Sequence, residues 1–221
     1  MSNVLIVAPH PDDETLGCGG TILKHTANKD KVSWLIMTQL SVDQGYKAAD
    51  IKERDEDITK VAKQYGFTRV FKGKFNTTCL DQYPKNKLIE FVANAIKSVK
   101  PNIVYLPFKF DIHSDHSVCH DTVISCTKSF RYPFIKKIIC YETVSETEFS
   151  LNQTNTFKPN LFVDISRYLN KKIKIMKIYG KEMGKHPFPR SEENIRSLAT
   201  FRGATANVNA AESFMILKEI S

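Results

Sequence analysis

The chain has 221 residues, of which 42% are hydrophobic and 25% charged, and its formal net charge is +8. This length suits one substantial core better than two, so we predict a single domain over residues 1–221. The lysines are scattered along every segment and no aromatic-basic motif is present, which argues against nucleic-acid binding. The positive charge then indicates either a solvated basic surface or attraction toward an anionic substrate, such as a nucleotide-linked sugar or a surface of acidic lipid. No apolar run approaches the length of a membrane span.

The five cysteines are odd in number and form no CxxC pair, so the sequence predicts neither a disulfide framework nor a cysteine zinc site. Unpaired cysteines of this kind are typical of proteins in a reducing compartment. The amino terminus also lacks the charged and apolar regions of a signal peptide. We therefore expect a cytoplasmic protein, and a homo-oligomer is compatible with all of these features.

Strand-like and helical patterns alternate along the chain. Short β-branched runs predict strands, and apolar residues at helical spacing predict helices. The predicted strands cover residues 4–8, 31–37, 68–71, 102–106, 135–141 and 161–165. The predicted helices cover residues 21–27, 47–65, 87–99, 117–128 and 166–182, and another helix starts at Ser191. This alternation favours an α/β fold, and we predict a Rossmann-like three-layer structure with a largely parallel sheet.

A first polar motif follows the first predicted strand. His10, Asp12 and Asp13 come within four residues, and Pro9 and Pro11 stiffen the turn that carries them. In open α/β sheets, ligands bind at this end of the strands. The alternative is an ordinary helix start, in which acidic residues cap the helix and complement its dipole.

A second polar motif repeats the same order of strand, loop and helix. His113, Asp115 and His116 follow the predicted strand over residues 102–106. If both strands are parallel members of one sheet, the two loops open on the same edge and their side chains can converge. Two such clusters at strand ends favour a metal site over two unrelated helix starts.

These residues resemble a known family. Pro9-His10-Pro11-Asp12-Asp13-Glu14 and His113-Ser114-Asp115-His116 are similar to the two signatures of the PIG-L/LmbE-like de-N-acetylases. These zinc-dependent enzymes remove acetyl groups from N-acetylglucosamine-type sugars. The resemblance implies that His10, Asp13 and His116 bind the metal. It also implies a hydrolase whose partner is a small N-acetylated sugar or sugar conjugate.

The resemblance also implies roles for the other motif residues. Asp12 would be the general base, and His113 would steady the oxyanion or donate a proton, with Asp115 orienting it. Two imidazoles and one carboxylate leave a metal position open for water, as in catalytic zinc sites. Zinc is the expected cofactor, and Fe²⁺ or another divalent metal is an alternative in the cell.

Three arginines are candidates for substrate binding. Arg54 lies in a helix that resembles the family's R-x-x-E helix, although Asp57 replaces the glutamate, and a surface ion pair is the alternative. Arg190 follows the proline-rich turn that starts at His186, and this turn together with Arg202 resembles the carboxyl-terminal segment of bacterial members. These side chains are expected to contact polar or anionic groups of the substrate.

Two other functions stay open at this point. Two histidines and one carboxylate also form the facial triad of non-haem iron oxygenases. Those triads usually occur in β-barrels, whereas this chain alternates strands and helices. The second alternative is a catalytically inactive sugar-binding protein, but every residue that the hydrolytic chemistry needs is present.

Overall fold

The computed structural model describes residues 1–221 and contains one sheet of seven strands. The strands are β1 (Asn3–Ala8), β2 (Lys31–Gln39), β3 (Arg69–Asn76), β4 (Ile103–Pro107), β5 (Lys137–Tyr141), β6 (Leu161–Asp164) and β7 (Ala211–Glu219). Their order in the sheet is β3-β2-β1-β4-β5-β7-β6. The first five strands pair in parallel, and β7 runs antiparallel to its neighbours β5 and β6. The predicted α/β fold with a largely parallel sheet is confirmed.

Six helices cover the two faces of the sheet. They are α1 (Asp13–Ala27), α2 (Ala48–Tyr65), α3 (Lys85–Val99), α4 (Ser114–Ser125), α5 (Leu169–Met176) and α6 (Glu192–Thr205). Alternate residues of β1 face opposite sides: Ile6 packs in the core under α1, α2, α5 and α6, and Val7 packs in the core under α3 and α4. Helices on both faces explain why the central strands are apolar throughout. None of the helices is long and apolar enough to cross a membrane.

Helix α1 begins earlier than the sequence predicts. It starts at Asp13, whereas the sequence predicts a helix from residue 21, and it continues through three glycines. A Cβ atom at Gly17 would lie 2.3 Å from the ring of Tyr141, and one at Gly20 would lie 2.5 Å from Ile165. These glycines therefore allow the helix to approach the neighbouring elements closely. As a result, Asp13 lies in the first turn of α1.

Helix α5 covers Leu169–Met176 and is shorter than the helix that the sequence predicts over residues 166–182.

Strand β7 is absent from the strands that the sequence predicts. The strand pattern is hidden because Glu212 occupies a buried position in β7. Its carboxylate accepts hydrogen bonds from Lys172 Nζ at 2.7 Å and from the backbone N–H groups of Gly20 and Thr21 at 2.8 and 2.7 Å. A charged residue inside the core is tolerated here because all of its partners are buried with it.

Candidate active site

The two polar motifs lie side by side at one edge of the sheet. Strands β1 and β4 are hydrogen-bonded neighbours, and β2 lies on the other side of β1. The strand order therefore reverses between β1 and β4, and such switch points form crevices where ligands bind. His10 and Asp13 follow β1, and His116 follows β4, so both motif loops open into this crevice.

The three predicted metal ligands converge on one point. Oδ2 of Asp13 lies 3.2 Å from His10 Nδ1 and 3.4 Å from His116 Nε2. The ligand atoms of these residues all lie within 4.8 Å of one another. Imidazole and carboxylate donors in this arrangement suit a divalent transition metal.

A carboxylate holds the other ring nitrogen of each histidine. Asp115 Oδ2 lies 3.1 Å from His10 Nε2, and Asp111 Oδ2 lies 2.7 Å from His116 Nδ1. Carboxylates in this position fix the ring orientation and the tautomer of metal-binding histidines. They leave His10 Nδ1 and His116 Nε2 facing Asp13.

The ring of His116 provides a separate test of whether these residues fit a metal. Its Nε2 atom is buried and has no hydrogen-bond partner, although its neighbour Asp13 lies close. Buried polar atoms in proteins are normally paired. A cation would satisfy this nitrogen and both other ligands, so the residues fit the metal that the sequence predicts.

Asp111 contacts the candidate ligand His116, and the sequence did not single it out. It is buried, lies five positions before His116, and also accepts a hydrogen bond from Thr147 Oγ1 at 2.6 Å. The available signal was a third acidic residue in the loop that leads to the second motif. Its contact with His116 assigns it to orienting that ring.

We expect Asp111→Asn to weaken metal binding by about 10- to 100-fold, because the His116 ring loses the charge that orients it. The metal dissociation constant, measured by competition with a chromogenic chelator, checks this. Asp121→Asn is the control, since Asp121 lies on the same helix as His116 but pairs with Lys109 at the surface. Equal metal affinity in both variants would show that His116 does not depend on Asp111.

Burial and the close carboxylates shift the pKa values of the ligands. Burial alone would lower the pKa of His10, but hydrogen bonds to Asp115 and Asp13 raise it to about 9. Burial opposes ionisation of Asp13 as well, yet His116 and His10 hold its pKa well below the usual range. A bound cation must displace the histidine protons, so metal binding should weaken as the pH falls.

Asp12 lies beside the ligand cluster but is not part of it. Its side chain is buried, and its Oδ2 atom accepts a hydrogen bond from Arg190 Nη1 at 2.9 Å. Burial and the charge of Asp13 raise the pKa of Asp12 to about 7, whereas Arg190 opposes the rise. A carboxylate with a pKa near neutrality is suited to accept and return a proton.

His113 is the N-cap residue of α4. Its Nδ1 atom accepts a hydrogen bond from the backbone N–H of Asp115 at 3.1 Å, so the neutral ring carries its proton on Nε2. Burial and the nearby rings of His10 and His116 lower the pKa of His113 to about 4. The ring is therefore neutral near pH 7 and can act as a hydrogen-bond donor.

The position of Asp115 differs from the expectation that its carboxylate orients His113. The carboxylate binds His10 and the backbone N–H groups of Thr78 and Leu80, at 2.6 and 3.0 Å. Its backbone amide is what reaches His113. Because α4 begins at Ser114, earlier than predicted, the His113 ring folds back onto the first-turn amide and leaves the carboxylate free for His10.

Arg54 and Arg190 both line the cavity beside the ligand cluster, where the sequence places them. Arg54 Nη1 donates to the carbonyl oxygen of Pro11 at 2.9 Å, and Arg190 donates to Asp12. Both guanidinium groups also bind Glu182. Contact of these two arginines with a substrate remains a prediction.

Arg202 does not reach this cavity, so its position differs from the predicted substrate contact. Its Nε and Nη2 atoms bind the two carboxylate oxygens of Glu142 at 2.9 and 2.6 Å. Arg202 lies in the last turn of α6 and Glu142 directly follows β5, so this pair joins the two elements. The residue is therefore a structural link between two elements.

We expect Arg202→Ala to lower the free energy of unfolding by about 2 kcal/mol, because Glu142 loses a charged hydrogen-bond partner. Urea denaturation measures this, and KM for the substrate should stay unchanged. Arg196→Ala is the control, because Arg196 forms its ion pair with Glu192 near the surface. A raised KM with unchanged stability would instead support the predicted substrate contact.

A cavity of about 380 Å³ opens beside the ligand cluster. The two motif loops, the end of β2, helix α2 and strand β3 form its walls, and Asp12 and His113 are among the lining residues. Tyr46, Lys72 and Lys74 also line it. Its volume is in the range of sites that bind small molecules.

Comparison with known proteins identifies a family. Residues 5–127 match the sequence profile of the PIG-L family, which is described as GlcNAc-PI de-N-acetylase. This match contains both polar motifs and the cavity-lining part of α2. The diacetylchitobiose deacetylase of Thermococcus kodakarensis is 25% identical over 230 residues, which cover 100% of this chain and 85% of that protein.

Two solved structures illustrate the similarity of fold. The N,N'-diacetylchitobiose deacetylase of Pyrococcus horikoshii superposes with a TM-score of 0.78 at 21% identity, covering 97% of this chain and 83% of the other. The 4-carboxy-2-hydroxymuconate hydratase of Pseudomonas putida KT2440 superposes with a TM-score of 0.71 at 18% identity, covering 100% and 98%. At these identities, the likeness establishes the fold.

Proposed function

Since this chain belongs to the PIG-L family, described as GlcNAc-PI de-N-acetylase, we propose that it is a metal-dependent hydrolase of N-acetylated amino sugars. The reaction adds one water molecule across the amide C–N bond and releases acetate and the free amine. The observation that carries this proposal is the convergence of His10, Asp13 and His116 beside the buried Asp12. The similarity to a diacetylchitobiose deacetylase supports the same substrate class.

Zinc is the metal that we propose for this site, with Fe²⁺ as the next candidate. Two imidazoles and one carboxylate leave a coordination position open, which is the pattern of catalytic zinc sites. A divalent cation held by His10, Asp13 and His116 supplies Lewis acidity, which polarises an amide carbonyl and makes water a stronger nucleophile near neutral pH.

Asp12 is assigned the role of general base. Its Oδ2 atom is held by Arg190, and its Oδ1 atom accepts no hydrogen bond from the protein, so Oδ1 is free to take a proton from the attacking water. The same proton can then pass to the amide nitrogen, which leaves as an amine once it is protonated.

His113 is assigned to the carbonyl oxygen of the substrate. The ring lines the cavity, and its Nδ1 atom is occupied by the amide of Asp115, so Nε2–H is the group that remains available. A fixed neutral donor stabilises negative charge that develops on an oxygen during amide hydrolysis. Asp12 and His113 thus act on different atoms of the same amide.

The substrate class follows from the family and the cavity. A volume of about 380 Å³ fits a small molecule, and we propose a small N-acetylated sugar or sugar conjugate. Tyr46 offers an aromatic surface at the wall of the cavity, and Lys74 has no ion-pair partner within the protein. These two side chains are available to the part of the substrate beyond the acetamido group.

Acetate release from a panel of N-acetylated sugars tests the proposal. The panel contains free N-acetylglucosamine, diacetylchitobiose, and lipid-linked and nucleotide-linked forms, each incubated with metal-loaded protein. We expect release of acetate and an equal amount of free amine from at least one member. Because a hydratase shares this fold, absence of release from every member by protein with stoichiometric metal would reject the deacetylase assignment. Consumption of O₂ with iron bound would support the oxygenase alternative.

A further inference from the structure

We propose that Glu182 is a positioning residue that joins Arg54 and Arg190 into a bridge holding Asp12 in place. This inference rests on the proposed function, in which Asp12 is the general base. Glu182 lies in a 3-10 turn at Gly180–Glu182, far from both motifs in sequence. Its side chain lines the same cavity as Asp12.

Asp12 needs external support because its backbone is strained. Its φ angle is 137°, a conformation that residues with a side chain rarely adopt. Strain of this kind persists where the surrounding structure holds the residue firmly, and it concentrates at functional sites. Asp12 lies between Pro11 and the metal-ligand candidate Asp13, so its conformation sets the direction of both carboxylates.

Besides the first-turn bonds that the Asp12 carbonyl oxygen accepts from the N–H groups of Thr15 and Leu16, three hydrogen bonds that involve side chains hold this strained segment. The backbone N–H of Asp12 donates to Glu14 Oε2 at 3.0 Å. The carbonyl oxygen of Pro11 accepts from Arg54 Nη1 at 2.9 Å, and the Asp12 carboxylate accepts from Arg190 Nη1 at 2.9 Å. Two of the three supports are arginines that come from distant parts of the chain.

Glu182 connects these two arginines. One carboxylate oxygen binds Arg54 Nη2, and the other lies 3.1 Å from Arg190 Nη1. Without this anion, two guanidinium groups that converge on one loop would repel each other in a partly buried site. The two oxygens of Glu182 therefore set the spacing of the arginines around Asp12.

Each arginine makes at least two hydrogen bonds within the protein. Arg190 also donates from Nε to Ser145 Oγ at 2.8 Å, and the guanidinium of Arg54 lies 5.9 Å from the ring centre of Tyr179. The N–H groups used in these bonds are not available to a substrate, so the bonds favour a structural role for both side chains. This pattern assigns Arg54 and Arg190 to support of the Asp12 loop through Glu182.

Glu182→Gln tests the bridge with a minimal change of shape. Glutamine has one acceptor oxygen, so it can accept hydrogen bonds from one arginine. Its NH₂ group is a donor and cannot accept a hydrogen bond from the other arginine. We expect kcat to fall by about 10- to 100-fold through misplacement of Asp12, with KM and metal stoichiometry unchanged. Lys181→Ala is the control, because Lys181 joins the same turn to Asp50 and Glu53 of α2 outside the bridge.

A double-substitution cycle separates positioning from other roles. If Glu182 acts through Asp12, Glu182→Gln should cause no further loss of residual activity in an Asp12→Asn protein. Full additivity of the two effects, or a raised KM in Glu182→Gln alone, would overturn the proposal. So would an equal loss of kcat in Lys181→Ala, because that result would indicate general loosening of the turn.

A crystal structure of Glu182→Gln provides a readout that does not require activity. We expect the Asp12 carboxylate to move away from its wild-type position and the Arg190 contact to lengthen or break. If wild-type protein releases no acetate, the proposed function fails, and this structure still decides whether Glu182 fixes Asp12. An unchanged Asp12 in the variant would overturn the positioning role whatever the reaction is.

Discussion

Removal of the metal with a chelator is expected to abolish acetate release, and added zinc should restore it. Lewis acidity at such a site lowers the barrier by several kcal/mol, so a loss of roughly a thousandfold or more is expected. His116→Gln should cause a similar loss, because it removes the buried Nε2 atom, which has no hydrogen-bond partner in the protein and is a proposed metal ligand. Metal content by mass spectrometry and acetate release by coupled assay check both results.

The matched control for this experiment is His120→Gln. His120 lies one turn after His116 on α4, but its Nδ1 atom donates to the carbonyl oxygen of Pro107 at 3.0 Å and the residue is outside the ligand cluster. We expect this variant to keep its metal and its activity. Full activity of chelated protein with no detectable metal would contradict the metal-dependent mechanism and remove the role given to His10, Asp13 and His116.

The sequence predicted the location of this site because parallel strands place their carboxyl ends at one edge. His10 and His116 are separated by more than 100 positions, yet each follows an apolar run that is recognisable as a buried strand. Once β1 and β4 are neighbours, their loops must meet. The contact of Asp13 with both histidines confirms that the ligand candidates converge.

The residues that the sequence did not reveal act through long-range contacts. Asp111 is one acidic residue among many until the His116 ring is seen beside it, and Glu182 gains significance only from two arginines that are distant in sequence. Neither residue belongs to a periodic pattern or a compact motif. The same reasoning explains Asp115, whose partner depends on the residue at which α4 begins.

Arg202 is a different case, in which a motif resemblance predicts a substrate contact and the structure shows an ion pair with Glu142. The sequence alone does not distinguish an arginine that binds a ligand from one that binds a glutamate of its own protein. The bidentate contact with Glu142 could not be inferred, because Glu142 lies in a stretch that reads as a polar loop. Burial of a charge needs a partner, and the partner's location is a property of the fold.

Asp12→Asn is expected to lower kcat by about 10²- to 10⁴-fold while KM and metal content stay near wild-type values, because asparagine cannot take a proton from water. Asparagine tolerates a positive φ better than most residues do, so this substitution tests the chemistry without adding backbone strain. Steady-state acetate release and metal analysis measure the effect. Asp121→Asn removes a carboxylate that pairs with Lys109 at the surface, and it should leave kcat unchanged.

The outcome of Asp12→Asn also identifies the base if the assignment is wrong. Glu146 is the other carboxylate that lines the cavity close to the ligand cluster, and burial raises its pKa above the usual value. Near-normal kcat in Asp12→Asn, together with a large loss in Glu146→Gln, would transfer the role to Glu146. Arg190 lies 2.9 Å from Asp12 but 3.7 Å from Glu146, so the geometry favours Asp12 as the carboxylate held in a fixed position. A base must be within reach of its proton in one orientation, and Asp12 is the one that the protein orients.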